Sequence, residues 1–453
     1  MIKRTFNQVV KMVDGSASHQ ADVHITGVST DSRQAQKGSL FIPLVGENFD
    51  GHQFVEKAFE NGAVATLWDR SIEGAPENYP VIFVDDTLKA LQLLAHSYLQ
   101  QVQPKVVGIT GSNGKTTTKD LVAGVLSTIY KVHKTNGNFN NHIGMPLTIL
   151  SMPEDTEVAV LEMGMSGRGE IELLSMLAQP DVAVITNIGE AHLLDLGSRE
   201  GIAEAKLEIL AGLKPEGVFI YDGDEPLLRK NYDKYETVTF GQSKHNTLYP
   251  ISVMQKEDST EFTCNNIESQ INIPVLGRHN VLNALAAICV GKALNVTEEN
   301  MIKGLKQVQM SNMRLEMQQG PGGLTVINDA YNASPTSVKA AIQLLKDMTG
   351  FGQKILVLGD MLELGDEEIR YHQEVGESVK DSGIAYLYTY GTLGQEIAKG
   401  AKGHLPEDRI LAFTDKQQLI QHLRSVVTPK DVVLVKASRG MKLEEVVHAL
   451  MEI

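Results

Sequence analysis

Short, continuous apolar runs alternate with amphipathic stretches along the middle of the chain. Helix-like segments separate four such runs, which are KVVGI from Lys105, VAVLEM from Val158, VAVITNIG from Val182 and VFIYDG from Val218. Strands that are apolar on both faces are typical of parallel sheets covered by helices. The pattern therefore predicts a doubly wound, mostly parallel sheet.

The same alternation begins again near residue 311. Five further apolar runs follow, with a plausible helix between each pair: LTVIND, KILVLGDM, AYLYTYG, RILAF and DVVLVKAS. This repeat predicts a second, Rossmann-like domain, whose site would lie at the carboxyl ends of its strands. Between the two patterns, residues 237–273 predict a β-ribbon, and a helix is expected from Asn280 to Leu294.

The N-terminal region has a shorter, mixed pattern, and its last helical run ends at Pro104. We interpret it as a small α/β domain. The predicted fold class is thus α/β with three domains, at residues 1–103, 104–310 and 311–453. Two Rossmann-like domains side by side also predict a cleft that closes.

Composition narrows the possible functions. The 453 residues are 42% hydrophobic, which is enough for three cores, and the net charge of −15 argues against binding to nucleic acid or anionic lipid. No apolar run reaches the ~18 residues of a membrane span, and the N-terminus lacks a signal peptide, so we expect a cytoplasmic protein without stable membrane insertion.

Cys264 and Cys289 are expected to be reduced thiols. The sequence does not determine the oligomeric state, and a monomer is our expectation.

The strongest chemical signal is GITGSNGKTT at residues 108–117, here called the phosphate loop. Its glycines let backbone N–H groups converge on phosphate, Lys115 would reach the β- and γ-phosphates, and the Thr116 hydroxyl could hold Mg²⁺. A strict Walker A motif requires glycine where this chain has Ile109, and a simple connecting turn is the alternative. The predicted ATP-binding residues are Thr110, Gly111, Ser112, Asn113, Gly114, Lys115, Thr116 and Thr117.

Two possible metal ligands follow strands near this loop. Glu162 ends one apolar strand and His192 follows another. A carboxylate and an imidazole beside a triphosphate could bind Mg²⁺ and neutralise charge during phosphoryl transfer. The alternative is that both are capping or surface residues.

Lys206 lies on the apolar stripe of a predicted helix, together with Ile202, Ile209 and Leu210. A buried amine has a lowered pKa, and its neutral form can react with CO₂ to give a carbamate, which is a metal-binding carboxylate. A lysine that extends its amine to solvent is the alternative.

Several of these segments resemble the Mur ligase superfamily: GITGSNGKTT, EAHL followed by AKLEI, and GRHNVLNALAA from Gly277. The resemblance implies that Lys115, His192 and a carbamoylated Lys206 are catalytic. It also implies a nucleotide site completed by residues of the central and C-terminal domains, namely His279 and Asn283 at the adenine, Arg314 at phosphate, Asp329 at the ribose, and Lys436.

The resemblance also implies where the second substrate binds. Residues 30–33 (TDSR) and 49–52 (FDGH) resemble the uridine-diphosphate-binding region of the ligases that add the third residue or the final dipeptide, which implies contacts from Ser32, Arg33, Asp50 and His52. Residues 135–146 (TNGNFNNHIGMP), here called the asparagine-rich loop, are dense in amides, which can grip sugar and peptide groups without adding charge. The family uses this loop for the muramoyl-peptide. This implies roles for Asn138, Asn140 and Asn141.

Residues 329–335 (DAYNASP) and 358–365 (LGDMLELG) resemble the family members that add D-alanyl-D-alanine. They imply a ligase that uses ATP and Mg²⁺ to join this dipeptide to UDP-N-acetylmuramoyl-tripeptide through an acyl phosphate. Asn332 and Asp360 are the candidates for selecting the dipeptide. The alternatives are the ligase that adds the third amino acid, a P-loop ATPase switch or motor, and a non-catalytic nucleotide-binding module.

Overall fold

The computed structural model describes residues 1–17, 21–230 and 232–452. The N-terminal strands are β1 Lys3–Thr5, β2 Ser16–Ala17, β3 His24–Thr26, β4 Val28–Ser29, β5 Leu40–Phe41, β6 Ala65–Asp69 and β7 Val81–Val84. The helices are α1 Phe6–Met12, α2 Val55–Glu60 and α3 Thr87–Val102. One sheet has the order β2-β7-β6-β5-β4 and is parallel except for β2, while β1 pairs antiparallel with β3.

The central sheet is parallel throughout, with the order β13-β12-β11-β8-β10-β9. Its strands are β8 Lys105–Thr110, β9 Val132–Lys134, β10 Val158–Glu162, β11 Val182–Ile185, β12 Val218–Asp222 and β13 Glu236–Phe240. The helices of this region are α4 Lys115–Leu126, α5 Gly144–Ser151, α6 Glu170–Ala178, α7 Leu193–Leu196 and α8 Arg199–Leu207. Strand β8 lies in the interior of the sheet, so the phosphate loop that follows it emerges at the middle of the carboxyl edge.

The predicted β-ribbon at residues 237–273 needs a correction. Its first segment, β13, continues the parallel central sheet, because it pairs with β12. A separate antiparallel sheet is formed by β14 Pro250–Gln255, β15 Thr260–Cys264 and β16 Ile271–Ile273. Helices α9 His279–Ala293 and α10 Glu298–Lys306 follow it.

The C-terminal sheet has six strands where the sequence predicted five, in the order β17-β18-β22-β19-β20-β21. The additional strand, β17, pairs antiparallel with β18, and the others are parallel. The strands are β17 Glu316–Gln319, β18 Thr325–Asp329, β19 Lys354–Gly359, β20 Tyr386–Tyr390, β21 Ile410–Phe413 and β22 Val432–Lys436. The helices are α11 Pro335–Asp347, α12 Glu368–Glu377, α13 Gly394–Ala401, α14 Lys416–Val426 and α15 Glu444–Met451.

Two buried side chains, Tyr98 and Asp120, tie the central domain to its neighbours. The Tyr98 hydroxyl of α3 donates a hydrogen bond to the Met152 carbonyl at 2.8 Å, within a core that the N-terminal and central regions share. Asp120, wholly buried on α4, accepts a hydrogen bond from the Ser311 N–H at 2.9 Å and pairs with Lys134 at 2.6 Å. The helix after the phosphate loop is therefore tied directly to the segment that leads into the C-terminal sheet.

No helix among the described residues combines the length and the apolar character needed to cross a bilayer. Cys264 and Cys289 are both buried free thiols, and burial raises their pKa values to about 11 and about 12.

Candidate functional site

A cavity of about 700 Å³ lies where the carboxyl edge of the central sheet meets the C-terminal sheet. The central domain lines it with the phosphate loop, the asparagine-rich loop, the carboxyl ends of β10, β11 and β12 with the segments after them, and the start of α9. The C-terminal domain lines it with residues around β18, β22 and α11 and with Glu363 after β19. The sequence-predicted residues in its lining are Ser112, Asn113, Gly114, Lys115, Thr117, Asn138, Asn140, Asn141, Glu162, His192, His279, Asn283, Arg314, Asp329, Asn332 and Lys436.

The phosphate loop has the backbone that its glycines allow. Gly111 has φ +151° and Gly114 has φ +78°, and a Cβ atom on Gly111 would lie 1.8 Å from the Thr186 hydroxyl oxygen. Lys115 Nζ donates a hydrogen bond to the Gly111 carbonyl at 2.7 Å, and burial lowers the pKa of this lysine. The Thr110 hydroxyl is buried without a hydrogen-bond partner among the described residues.

Glu162, 2% exposed, lies directly beside this loop. Its carboxylate accepts hydrogen bonds from the Thr116 hydroxyl at 3.0 Å and from the Asn140 amide at 2.9 Å. Both donors are uncharged, and a buried carboxylate favours a positive charge close by. The nearby Lys115 ammonium supplies part of that charge. In return, the Glu162 carboxylate limits the fall that burial causes in the pKa of Lys115.

His192 precedes α7 in a left-handed conformation, with φ +65°. Its Nδ1 lies 2.9 Å from Oε2 of Glu363, which belongs to the C-terminal domain, and His192 holds the pKa of Glu363 below its usual value. The Leu194 N–H also donates to the Glu363 carbonyl at 3.2 Å. The predicted metal ligand therefore lies at a contact between domains.

Lys206, on α8, is 1% exposed, as its position on the apolar stripe predicted. Burial and the nearby Lys115 charge lower its pKa well below the usual value for lysine. No carboxylate among the described residues forms an ion pair with it. The arrangement favours a neutral amine, which is the form that reacts with CO₂.

The first turns of α9 and α4 meet beside the cavity. The Asn283 amide oxygen accepts a hydrogen bond from the Thr118 hydroxyl at 3.2 Å, and its amide nitrogen donates to Asn280 at 2.8 Å. The His279 side chain is exposed at the cavity, and the protein atoms around it lower its pKa to about 4. A neutral imidazole and two amides thus line this end of the cavity, and these groups are suited to an uncharged base.

Three C-terminal residues reach the cavity from the opposite side. The Arg314 guanidinium lies 4.1 Å from the centre of the Tyr331 ring and donates to the Thr116 hydroxyl at 3.4 Å. Asp329 forms a buried ion pair of 2.6 Å with Lys436. The central and C-terminal parts of the predicted nucleotide site therefore face one cavity.

The structure does not bring the predicted N-terminal residues into this cavity. Arg33 pairs with Asp31 at 2.8 Å and its side chain is 83% exposed, while Ser32 is largely buried. His52 is 5% exposed, and its ring nitrogens contact Asp50 Oδ1 at 2.6 Å and the Asp69 N–H at 3.3 Å. A hydrogen bond from this ring to a ligand would require one of these contacts to break.

The two candidates for dipeptide selection lie in different surroundings. Asn332 lines the cavity, and its carbonyl accepts a hydrogen bond from Lys436 at 2.9 Å. Asp360 is 7% exposed and outside the lining, and its carboxylate accepts a hydrogen bond from the Gly394 N–H at 2.6 Å. The selecting role of both residues stays a prediction.

Sequence reasoning missed several residues that line the cavity. Asp222 ends β12, and burial raises its pKa to about 6. The signal was available, because Asp222 follows an apolar strand just as Glu162 does. Glu363, Tyr331 and Thr336 belong to the C-terminal side, and no local pattern marks them as partners of the central sheet.

Comparison with known families gives three matches along the chain. The Mur ligase family catalytic domain matches residues 24–99, the Mur ligase middle domain matches residues 109–291, and the Mur ligase glutamate ligase domain matches residues 313–439. Together they cover most of the sequence.

Individual relatives match it from end to end. The UDP-N-acetylmuramoyl-tripeptide–D-alanyl-D-alanine ligase of Bacillus subtilis is 56% identical, over 100% of this chain and 99% of its own. A crystal structure of MurF from Acinetobacter baumannii superimposes with a TM-score of 0.91 at 31% identity, covering 100% of both chains. MurF ligase from Thermotoga maritima, in complex with ADP, gives a TM-score of 0.83 at 31% identity, covering 94% of this chain and 97% of its own.

These matches confirm the three-domain α/β fold class and the resemblance predicted from the phosphate loop and the α9 motif. Family models in succession along the sequence, and relatives that span its whole length, show that this chain belongs to the Mur ligase family.

Proposed function

We propose that this protein is the ATP-dependent ligase that joins D-alanyl-D-alanine to UDP-N-acetylmuramoyl-tripeptide, releasing ADP and phosphate, in peptidoglycan precursor synthesis. The observation that carries the proposal is the full-length match, at 56% identity, to the ligase of that name from Bacillus subtilis. The cavity supports it, because a phosphate loop and the cationic side chains of a second domain face the same space.

ATP binds with its phosphates on the loop at residues 110–117. Lys115 and the backbone N–H groups hold the β- and γ-phosphates, and Arg314 approaches the same phosphates from the C-terminal domain. Asn283 and His279 contact the adenine, and the Asp329 carboxylate accepts hydrogen bonds from the ribose hydroxyls. The related MurF structure with ADP supports the use of an adenine nucleotide.

The residues beside Lys115 also fit Mg²⁺. No group of three or more histidine, cysteine, aspartate or glutamate side chains that could hold a metal occurs among the described residues. Mg²⁺ is usually held by one or two carboxylates together with substrate phosphates and water, so the buried Glu162 and the Thr116 hydroxyl form a suitable oxygen donor set. His192 and Lys206 would complete it. The ion supplies charge neutralisation during phosphoryl transfer.

Lys206 joins this set as a carbamate. Its buried, uncharged amine attacks CO₂, a C–N bond forms, and one proton is released. The product carries a negative charge where the free amine is neutral, so the nearby Lys115 charge, which disfavours a protonated Lys206, attracts the carbamate. Two observations support the modification: the almost complete burial of Lys206 and its lack of a carboxylate partner among the described residues.

The reaction starts when the terminal carboxylate of the tripeptide attacks the γ-phosphorus, which gives an acyl phosphate and ADP. Lys115 and Arg314 stabilise the charge on the transferred group, since both are fixed before the reaction begins. The dipeptide amine then attacks the acyl carbon, and the tetrahedral intermediate expels phosphate to leave the amide. Closure of the cavity between two domains excludes the water that would hydrolyse the acyl phosphate.

The tripeptide precursor extends from this cavity toward the N-terminal domain. Asn138, Asn140 and Asn141 contact its peptide and sugar, and Ser32, Arg33, Asp50 and His52 form the region that receives the uridine diphosphate. Asn332 and Asp360 select the D-alanyl-D-alanine dipeptide.

We also propose that the protein is a cytoplasmic monomer, because the reaction consumes ATP and one chain supplies both faces of the cavity.

One panel of assays tests the proposed function. ADP release is measured with UDP-muramoyl-tripeptide in the presence and absence of D-alanyl-D-alanine, and with UDP-muramoyl-dipeptide plus a free diamino acid. We expect turnover only with the tripeptide and the dipeptide amine together. Turnover with the diamino acid would instead indicate the ligase for the third residue, ATP hydrolysis indifferent to the amine would indicate a switch or motor, and binding without hydrolysis would indicate a nucleotide-binding module.

A further inference from the structure

One side chain of the C-terminal domain makes direct contact with the phosphate loop. Ser334 Oγ donates a hydrogen bond to Oδ1 of Asn113 at 3.1 Å, across 221 residues of sequence. Ser334 is also the N-cap residue of α11, and α11 contributes further residues to the cavity lining. Through this bond, the position of the C-terminal domain affects a residue of the phosphate loop.

Two acceptors compete for the single hydroxyl proton of Ser334, because Asn113 Oδ1 and Ser337 Oγ each lie 3.1 Å from Ser334 Oγ. The Ser337 hydroxyl has other partners, since it accepts from the Ser334 N–H at 2.8 Å and donates to the Ser334 carbonyl at 2.9 Å. The Asn113 amide oxygen has no other donor among the described residues, so it is the acceptor that needs the Ser334 proton. A hydrogen bond from Ser334 specifies which end of the Asn113 amide is the oxygen.

The other end of that amide has no partner. Asn113 Nδ2 is shielded from solvent and donates no hydrogen bond to any described residue. The Asn113 backbone is fixed at the same time, because its N–H donates to Asn187 Oδ1 at 3.0 Å and its carbonyl accepts from the Thr186 hydroxyl at 2.6 Å. A buried donor without an acceptor is costly, so a ligand in the cavity is the natural acceptor.

We propose that Ser334 is a positioning residue for phosphoryl transfer: its hydroxyl holds the Asn113 amide so that the free N–H group faces the phosphate that is transferred. The inference rests on the proposed function, and it adds a route by which closure of the C-terminal domain completes the phosphate site. When that domain moves away, the amide loses the contact that sets its orientation.

The main test replaces Ser334 without removing the helix cap. Glycine is an acceptable N-cap residue, so Ser334→Gly should keep α11 and remove only the hydroxyl. We expect kcat for ADP release to fall about tenfold, which corresponds to the loss of one well-placed hydrogen bond. The affinity for ADP should not change, because ADP lacks the transferred phosphate. Ser334→Thr, which retains the hydroxyl, should restore most of the rate.

A second domain contact provides a matched control. The Asp347 carboxylate, at the other end of α11, accepts a hydrogen bond from Arg278 of the central domain at 3.0 Å, and neither residue lines the cavity. Asp347→Asn should therefore change kcat less than twofold. If Asp347→Asn lowers kcat as much as Ser334→Gly, the effect comes from weaker contact between the domains, and the inference is wrong.

The double variant gives the sharpest comparison. In an Asn113→Ala background, Ser334→Gly should cause no further loss of kcat, because both changes act through the same Asn113 amide. A further tenfold loss there, or a wild-type rate in Ser334→Gly alone, contradicts the inference and leaves the proposed function intact. A folded wild-type protein that releases no ADP with both substrates contradicts the proposed function, and this inference with it.

Discussion

At the scale of single residues, the site is distinguished by nitrogen bases whose pKa values are lowered. Lys206 is 1% exposed, whereas Lys115 is partly buried and His279 is exposed at the cavity, and the surrounding protein lowers the pKa of each. The sequence predicted the burial of Lys206, because that residue shares a helical stripe with isoleucine and leucine. No comparable signal marked His279, whose lowered pKa depends on the proximity of distant parts of the chain.

His279 should make the stability of the protein depend on pH. Between pH 6.5 and about 4 the unfolded chain carries a proton on this imidazole and the folded chain does not. The contribution of His279 to stability is therefore fully present above pH 6.5 and decreases as the pH falls. Because the side chain is exposed, solvent screening makes this decrease smaller than the full pKa shift would give.

Chemical unfolding of wild type and His279→Gln, followed from pH 7 to pH 4 without nucleotide, measures this contribution. The free-energy advantage of the wild type should shrink as the pH falls. All other titrating groups are common to both proteins, so an advantage that stays constant would show that His279 titrates normally.

Lys206 should act through its carbamate. Lys206→Gln, which cannot react with CO₂, should lower kcat roughly 10- to 100-fold, the range typical for residues that support a metal site. Removal of CO₂ from the buffer should slow the wild type and leave the variant unaffected. Lys303→Gln, an exposed lysine on α10, serves as the control. Equal responses of wild type and Lys206→Gln to CO₂ removal would exclude the carbamate.

At the scale of elements, the sequence predicted what depends on local pattern. The strands of the central sheet were recognisable because they are apolar on both faces, and the phosphate loop because its glycines adopt backbone angles that other residues avoid. Strand β13 was assigned to the ribbon and β17 was missed. Both lie at the edge of a sheet, and their residues are only partly buried, so their pairing depends on a neighbouring strand rather than on their own composition.

The turn after β8 should tolerate no side chain at Gly111. Gly111→Ala would bring Cβ to 1.8 Å from the Thr186 hydroxyl oxygen in addition to the strain of its positive φ. We expect a loss of at least about 2 kcal/mol in unfolding free energy, together with loss of nucleotide binding.

Gly74→Ala isolates the backbone contribution. Gly74 has φ +83°, and no atom lies within 4 Å of the position that a Cβ would take, so the substitution should cost about 1 kcal/mol and leave nucleotide binding unchanged. Calorimetry measures ADP binding by both variants, and thermal unfolding measures their stability. An equal loss of unfolding free energy in Gly111→Ala and Gly74→Ala would show that the close contact with Thr186 contributes nothing.

At the scale of the whole molecule, the site exists only where two domains meet. Four side-chain contacts between described residues join them around the cavity: His192 with Glu363, Glu190 with Thr336, Arg314 with Thr116, and Ser334 with Asn113. No sequence pattern predicted these pairs, because each joins residues that are distant in the chain and adjacent only after the domains have folded. The sequence did predict a cleft that closes, from the presence of two Rossmann-like domains.

Closure should be measurable by small-angle X-ray scattering. An ATP analogue and the tripeptide precursor together should reduce the radius of gyration of the wild type, because both ligands bind across the cleft. Glu363→Ala, which removes the partner of His192, should reduce the compaction. A radius of gyration that is identical with and without both ligands would contradict closure.

The central claim is that the protein activates a carboxylate by phosphorylation on the loop that contains Lys115. The most direct measurement uses tripeptide precursor labelled with ¹⁸O in its terminal carboxylate, with ATP and D-alanyl-D-alanine, and mass analysis of the phosphate released. We predict that each released phosphate carries one labelled oxygen, because the bond between the acyl carbon and that oxygen breaks when the amide forms. Released phosphate without the label, whose fourth oxygen came from water, would contradict phosphorylation of the carboxylate.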